Sequence, residues 1–207
     1  MQKKSTFHPI YILATLYMLS IYLTPALIML LKPYDNDDAT LDYGFLLLLP
    51  IILDIVNLVV VIVNRNKLDR DVFLHCTLII KYGLIPFYII GGAVIALCGL
   101  LTFTPVVIMI FVGPMMVITL SVTGWIAMIG AMPFSITYIV KSAKEGANGK
   151  FIYIAAAIAQ VFFTFDVISI MILAIKEKKC IKATIIYMIL SVVSIFSFIL
   201  FVIISSI

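Results

Sequence analysis

Long apolar runs separated by short polar stretches set the pattern of this chain. A membrane-crossing helix needs about 20 apolar residues, and runs of that order lie at 10–31, 44–63, 72–99, 151–175 and 183–207. Lipid cannot satisfy an open strand edge, so each run reads as a helix. The Ile and Val content would suit strands in water, but runs this long and without alternation are not barrel strands. The stretch 103–140 is harder to divide. As one helix it would be about 56 Å long, more than a bilayer needs. One reading has a loop or re-entrant piece near 100–113 and then a single span at 114–140, giving six spans. The other has two spans turning near Ser121 to Gly124, a segment without charge and with little polarity, giving seven. Six is preferred.

Composition agrees with a lipid solvent. Of 207 residues, 64% are hydrophobic and 12% charged, with a mean hydropathy of +1.26, whereas soluble domains carry roughly 25% charge. The longest polar stretches, Lys32 to Tyr43 and Lys141 to Lys150, are the length of loops. Residues 1–207 therefore read as one integral membrane domain, an all-α polytopic transmembrane bundle. The run from Ile10 to Leu31 outlasts the roughly 7–15 residues of a signal-peptide core and ends in no small-residue cleavage site, so an uncleaved first span is expected.

The net charge of +4 bears on topology. Lys and Arg gather at the ends of apolar runs, so no nucleic-acid partner is implied. Lys3, Lys4, Arg65, Lys67 and Arg70 place the N-terminus and the second loop in the cytoplasm. The acidic loop Asp35-Asn36-Asp37-Asp38, with Asp42, then faces outward. Six spans leave Lys141, Lys144 and Lys150 inside but Lys176, Lys178, Lys179 and Lys182 outside; seven spans reverse this. Each arrangement breaks the positive-inside rule once. A weak three-helix repeat is also legible: Ile52-Leu53-Asp54-Ile55-Val56-Asn57 resembles Thr164-Phe165-Asp166-Val167-Ile168-Ser169, and the same offset lays 10–99 over 122–207. Inverted and parallel repeats are both known transporter designs, although apolar spans resemble one another by composition alone.

Charges inside apolar runs are the candidate chemistry. Asp54 lies about 13 Å along the helix from both Phe45 and Val63, near the bilayer midplane, where an Asp costs roughly 2.5–3.5 kcal/mol on insertion scales. Asn57 and Asn64 share its face at helical spacing. Lys81 falls at a depth that depends on where its span starts: a start at Val72 buries it, and one near Thr77 makes it an interfacial anchor with a snorkelling stem. Pro86 cannot donate to the carbonyl of Tyr82, which predicts a kink and an exposed carbonyl one turn from Lys81. Asp166 sits off centre in 151–175, with Ser169 one turn on. Pro25, Pro86, Pro114 and Pro133 interrupt spans, as in the broken helices of transporters, although proline is common in membrane helices generally.

Enzyme signatures are absent. His8 and His75 lack metal-ligand spacing, and the Gly146 to Lys150 loop lacks the first glycine and the Ser/Thr of a phosphate-binding loop. No G-x-S-x-G occurs. Asp54 and Asp166 do not stand in a G-x-G-D setting. Cys76, Cys98 and Cys180 imply no disulfide framework. No catalytic group, cofactor or metal is expected.

Two segments, Lys81-Tyr82-Gly83-Leu84-Ile85-Pro86-Phe87 and the stretch from Tyr138-Ile139-Val140-Lys141-Ser142-Ala143-Lys144-Glu145-Gly146 to Phe165-Asp166-Val167-Ile168-Ser169, resemble segments of small uncharacterised multi-pass membrane proteins of Gram-positive anaerobes. The resemblance implies a membrane protein and carries over no activity or site. From the residues, two functions compete. In the first, Asp54, Asn57, Lys81, Asp166 and Ser169 line a midplane site of a transporter or permease-like protein in the cell membrane, moving a small molecule or ion, with the acids exchanging protons or holding a cation. In the second, Lys81 pairs with one acid to pin helices in a non-transporting accessory, immunity or assembly protein.

Overall fold

The computed structural model describes residues 8–31, 43–103, 107–146 and 148–205. Lys3, Lys4 and the acidic loop Asp35–Asp42 lie outside them. Among the described residues the chain is all-helical. Helix α1 spans Ile10–Leu31. A 3₁₀ turn, Tyr43–Leu47, leads into α2, Leu48–Asn64. Then come α3 (Arg70–Gly83), α4 (Ile85–Leu101), α5 (Val107–Ile129), α6 (Met132–Glu145), α7 (Lys150–Ala159), α8 (Phe165–Lys176) and α9 (Ile181–Ser205).

Among the described residues, four stretches are long and apolar enough to cross a membrane: Ile10–Ile28, Phe45–Asn64, Arg70–Leu101 and Ile108–Ile129; Lys150–Ala159 and Ile181–Ser197 are shorter apolar helices. Their outward faces fit a lipid solvent. On α2, Ile52, Ile55, Val59 and Ile62 are each more than half exposed, at helical spacing, while Pro50, Asn57 and Val61 on the opposite stripe are buried. Such an inside-polar, outside-apolar helix has no stable place in water.

The chain divides into two compact units, Met1–Gly83 with Ala127–Tyr153, and Leu84–Ile126 with Ile154–Ile207. In the first unit, α3 packs on α6 and on α1, and α2 packs on α1 and α6. The buried residues Phe73, Leu74, Thr77 and Ile80 of α3 recur at three- and four-residue spacing, as do Phe134, Ser135, Tyr138, Ile139 and Ser142 of α6. Helix α1 contributes Ile10, Ala14, Tyr17, Ile21 and Thr24. Gly146 ends α6 in the left-handed conformation, its N–H returning to the Ser142 carbonyl at 3.2 Å, a conformation that costs glycine nothing. In the second unit α9 packs on α4 and α8.

The structure departs from the sequence reading in three places. The expected span 114–140 begins earlier, at Val107, runs without interruption through Pro114 and Ser121–Gly124, and breaks at Gly130–Ala131. There is thus no turn at Ser121–Gly124; the Thr123 hydroxyl bonds the Thr119 carbonyl of the same helix at 3.0 Å, and the helix continues. The expected span 151–175 is broken at 160–164. The expected span 72–99 starts at Arg70 and breaks at Leu84, the residue between Gly83 and the Ile85-Pro86 that opens α4. Pro25 and Pro114 lie inside unbroken helices.

Candidate functional site

Two of the breaks are built the same way. Gly83-Leu84-Ile85-Pro86-Phe87 and Gly130-Ala131-Met132-Pro133-Phe134 share the pattern G-x-x-P-F. In each, the proline occupies the first turn of the new helix, where a missing N–H costs nothing. The residue after the glycine has nearly the same backbone, φ −88°, ψ −5° at Leu84 and φ −83°, ψ −21° at Ala131. Both helices restart through the equivalent bond, Tyr88 N–H to the Leu84 carbonyl at 3.0 Å and Ser135 N–H to the Ala131 carbonyl at 3.1 Å.

A break frees carbonyls that a continuous helix would satisfy, and α1 supplies a tyrosine for each. The Tyr22 hydroxyl donates to the Gly83 carbonyl at 2.6 Å. At the second break the Ala131 N–H turns to the Met128 carbonyl at 3.2 Å instead of the Ala127 carbonyl one turn back. The Ala127 carbonyl instead receives the Tyr17 hydroxyl at 3.1 Å. Tyr17 is fully buried.

Asp54 belongs to the second break. Its carboxyl lies within hydrogen-bonding reach of the Tyr17 hydroxyl, and its Oδ1 is buried with no hydrogen-bond partner. A Cβ built on Gly130 would meet both the Asp54 carboxylate and the Tyr17 ring, so the glycine is what admits the acid to the break. Asn57, fully buried one turn along α2, donates from Nδ2 to the Gly130 carbonyl at 3.4 Å and leaves its own Oδ1 buried without a partner. Asn64 does not join them: its amide bonds the Val60 carbonyl of its own helix at 2.9 Å. Of the elements packed against α2, α1 carries no charged residue and α6 carries charge only toward its C-terminal end, at Lys141, Lys144 and Glu145. Among the described residues no cation pairs with Asp54.

Lys81 is 1% exposed, which overturns its reading as a snorkelling anchor: α3 begins at Arg70 rather than near Thr77. It lies in the last turn of α3, where the helix dipole favours a cation, and it is engaged within the protein.

Asp166 and Ser169 belong to the second unit. The chain leaves α7 at Ala159 and turns sharply at Thr164, whose φ of 67° and ψ of −45° go with a Phe165 N–H to Phe163 carbonyl bond of 2.7 Å. This is the strained γ-turn, rare for a β-branched residue. Asp166 follows in the first turn of α8, 1% exposed, where the helix dipole favours an anion. Gln160, equally buried, spans the break: its Nε2 bonds the Ala156 carbonyl (3.0 Å), the Ser169 hydroxyl (2.9 Å) and the Asp166 carbonyl (3.4 Å). Ser169 in turn donates to the Asp166 carbonyl at 3.0 Å.

Sequence reasoning thus located Asp54 and Asn57 on a common face and missed Tyr17, Gly130 and Gln160. The repeated G-x-x-P-F would have marked Gly130. Nothing local distinguishes Tyr17 from the other tyrosines of α1, because its partner is remote in sequence.

A family model described as a family of unknown function (DUF6652) matches residues 7–179. No curated protein and no solved structure matches the chain.

Proposed function

The chain belongs to the DUF6652 family, and from that premise we propose that it is a small membrane transporter in which Asp54 carries a proton or a monovalent cation. One observation carries the reading. Asp54 lies in the interior of α2, beyond the first turn, without a cation and beside a helix break whose freed carbonyl shares its tyrosine. An acid placed there is costly and marks a pathway by default, and broken helices with unwound carbonyls are how transporters hold coupling ions.

The hydroxyl of Tyr17 has one proton to give. With Asp54 protonated, the carboxyl donates to the Tyr17 oxygen and Tyr17 donates to Ala127. With Asp54 ionised, Tyr17 turns its proton to the carboxylate and releases the Ala127 carbonyl at the break. Proton loss at Asp54 is thereby transmitted to the α5–α6 junction, and a monovalent cation would replace the lost proton among the oxygens of Asp54, Asn57 and Ala127. The chain makes six crossings of the cytoplasmic membrane with its N-terminus inside, and it performs no enzymatic chemistry. Reporter fusions after Gly146 and Glu177 test that topology: the first must report a cytoplasmic and the second an external location.

The functional test uses full-length protein in proteoliposomes loaded with a pH-sensitive dye. Addition of Na⁺ or K⁺ across an imposed proton gradient is expected to change internal pH, and Asp54→Asn is expected to abolish the change while retaining helicity. Equal rates for wild type and Asp54→Asn would exclude the mechanism.

A second reading has its own support. Tyr22 donates to the Gly83 carbonyl at the other break in the same way, so a tyrosine cap is sufficient as a structural device. On that reading the protein is a non-transporting accessory, immunity or assembly factor. No cation-dependent flux occurs, and Asp54→Asn changes stability alone.

A further inference from the structure

The first unit holds a second polar feature, unrelated to Asp54. Where α2 gives way to α3, the turn at 65–69 meets the last turn of α6 around a cavity of about 320 Å³. Its lining carries Lys67, Arg70, Lys141 and Lys144 against two acids, Asp69 and Glu145. Two contacts brace the walls. The Lys141 ammonium donates to the Leu68 carbonyl at 2.6 Å and lies 5.3 Å from the centre of the Phe73 ring. Arg70 meets Glu145 at 3.1 Å. The first contact holds Lys141 to the turn; the second is an ion pair between Arg70 and Glu145. Lys67 and Lys144 remain exposed, and neither makes an ion pair among the described residues.

The setting selects the ligand. The cavity lies at the ends of the apolar stretches Phe45–Asn64 and Arg70–Leu101, the level at which acyl chains give way to headgroups. Val63 on α2 and Val140 on α6, at the helix ends that border the cavity, are exposed and apolar. A phosphate in the cavity thus has cations around it and apolar surface for acyl chains close by, which a free phosphate ion would not use. Basic pockets between helices on the cytoplasmic side take anionic headgroups by this chemistry.

We propose that this cavity binds the phosphate of an anionic phospholipid, with Lys67 and Lys144 as its direct contacts. The test reconstitutes the full chain in nanodiscs of mixed phosphatidylglycerol and phosphatidylcholine and counts the lipids retained by native mass spectrometry. Phosphatidylglycerol is expected to be retained preferentially. The double variant Lys67→Gln/Lys144→Gln is expected to weaken it about 10- to 30-fold, two basic groups' worth at a membrane surface. Lys176→Gln/Lys182→Gln removes the same charge elsewhere and should leave retention unchanged. Equal retention of the two lipids, or equal loss in both double variants, would overturn the proposal. Inorganic phosphate titrated into phosphatidylcholine nanodiscs separates the two phosphate sources: binding as tight as that of the lipid would assign the cavity to the free ion. Circular dichroism of each variant verifies folding.

Discussion

Gly130→Ala is the sharpest structural test of the break beside Asp54. The new Cβ would occupy space held by the Asp54 carboxylate and the Tyr17 ring. The two neighbours differ in their ability to yield. Asp54 is half-buried and can rotate, whereas Tyr17 is fully enclosed. Overpacking of this kind costs about 1–3 kcal/mol. If Tyr17 moves away, the Ala127 carbonyl loses its donor, and a buried unpaired carbonyl adds about 1–3 kcal/mol. The expected loss is therefore about 2–6 kcal/mol, a large part of the 5–15 kcal/mol that stabilises an ordinary domain.

Two other glycines calibrate the measurement. A Cβ on Gly83 would press on the Met18 side chain at 2.7 Å. Met18 is flexible and can re-pack, so Gly83→Ala should cost about 1 kcal/mol or less, below the overpacking range. A Cβ on Gly92 meets nothing within 4 Å, and Gly92→Ala in the interior of α4 should be neutral or stabilising by up to about 1 kcal/mol. Unfolding in mixed micelles, titrated with dodecyl sulfate and followed by far-UV circular dichroism, ranks the three. The variant Asp54→Ala/Gly130→Ala removes one of the two obstacles, so its loss should fall short of the sum of the single losses by about 0.5–3 kcal/mol. Gly130→Ala unfolding at the wild-type midpoint would refute the close approach of Asp54 and Tyr17 to the break.

Four further substitutions examine the remaining contacts and the turn at Thr164. Tyr17→Phe and Tyr22→Phe each leave one freed carbonyl unpaired and should each cost about 1–3 kcal/mol, but Tyr17→Phe alone should alter cation-driven pH change in proteoliposomes. Gln160→Ala removes the amide that bridges α7 and α8 and should cost about 1–2 kcal/mol in the same micelle titration; no change would mean that Ser169 and Asp166 hold the break unaided. Thr164→Gly relieves a left-handed β-branched residue and should stabilise by about 1 kcal/mol, seen as a higher denaturant midpoint, whereas a loss would show that the threonine side chain contributes more than its backbone strain costs.

How far the sequence could be read follows from the range of the interactions involved. Helix identity, the first span Ile10–Leu31 and the shared face of Asp54 and Asn57 depend on local hydropathy and helical period, and the structure contains them. The depth of Lys81 depended on one boundary, which the charged pair Arg70-Asp71 left ambiguous because such residues both start helices and end loops. The breaks at Gly130 and Gln160 were missed because hydropathy is continuous across them; only a carbonyl count at the proline, together with a donor on another helix, accounts for the first. The paired hexapeptides around Asp54 and Asp166 differ in local structure, one in the interior of α2 and the other in the first turn of α8. Composition made them look alike, and backbone context separates them.

That context also separates the buried charges. Lys81 stands in the last turn of α3 and Asp166 in the first turn of α8, each at the helix end whose partial charge opposes its own, a placement worth up to about 2 kcal/mol when partly buried. A helix end within an apolar run thus accounts for part of the cost of each charge. Asp54 has no such end on its own helix. What faces it is the C-terminal end of α5, where the helix dipole is negative and the free lone pairs belong to carbonyls, an amide oxygen and a phenol. Against that surface, the Tyr17 hydroxyl is the donor within reach of the Asp54 carboxyl. On the transport reading proposed above, a proton or a small cation is what this surface would hold beside Asp54; on the structural reading, the Tyr17 hydroxyl alone completes the contact.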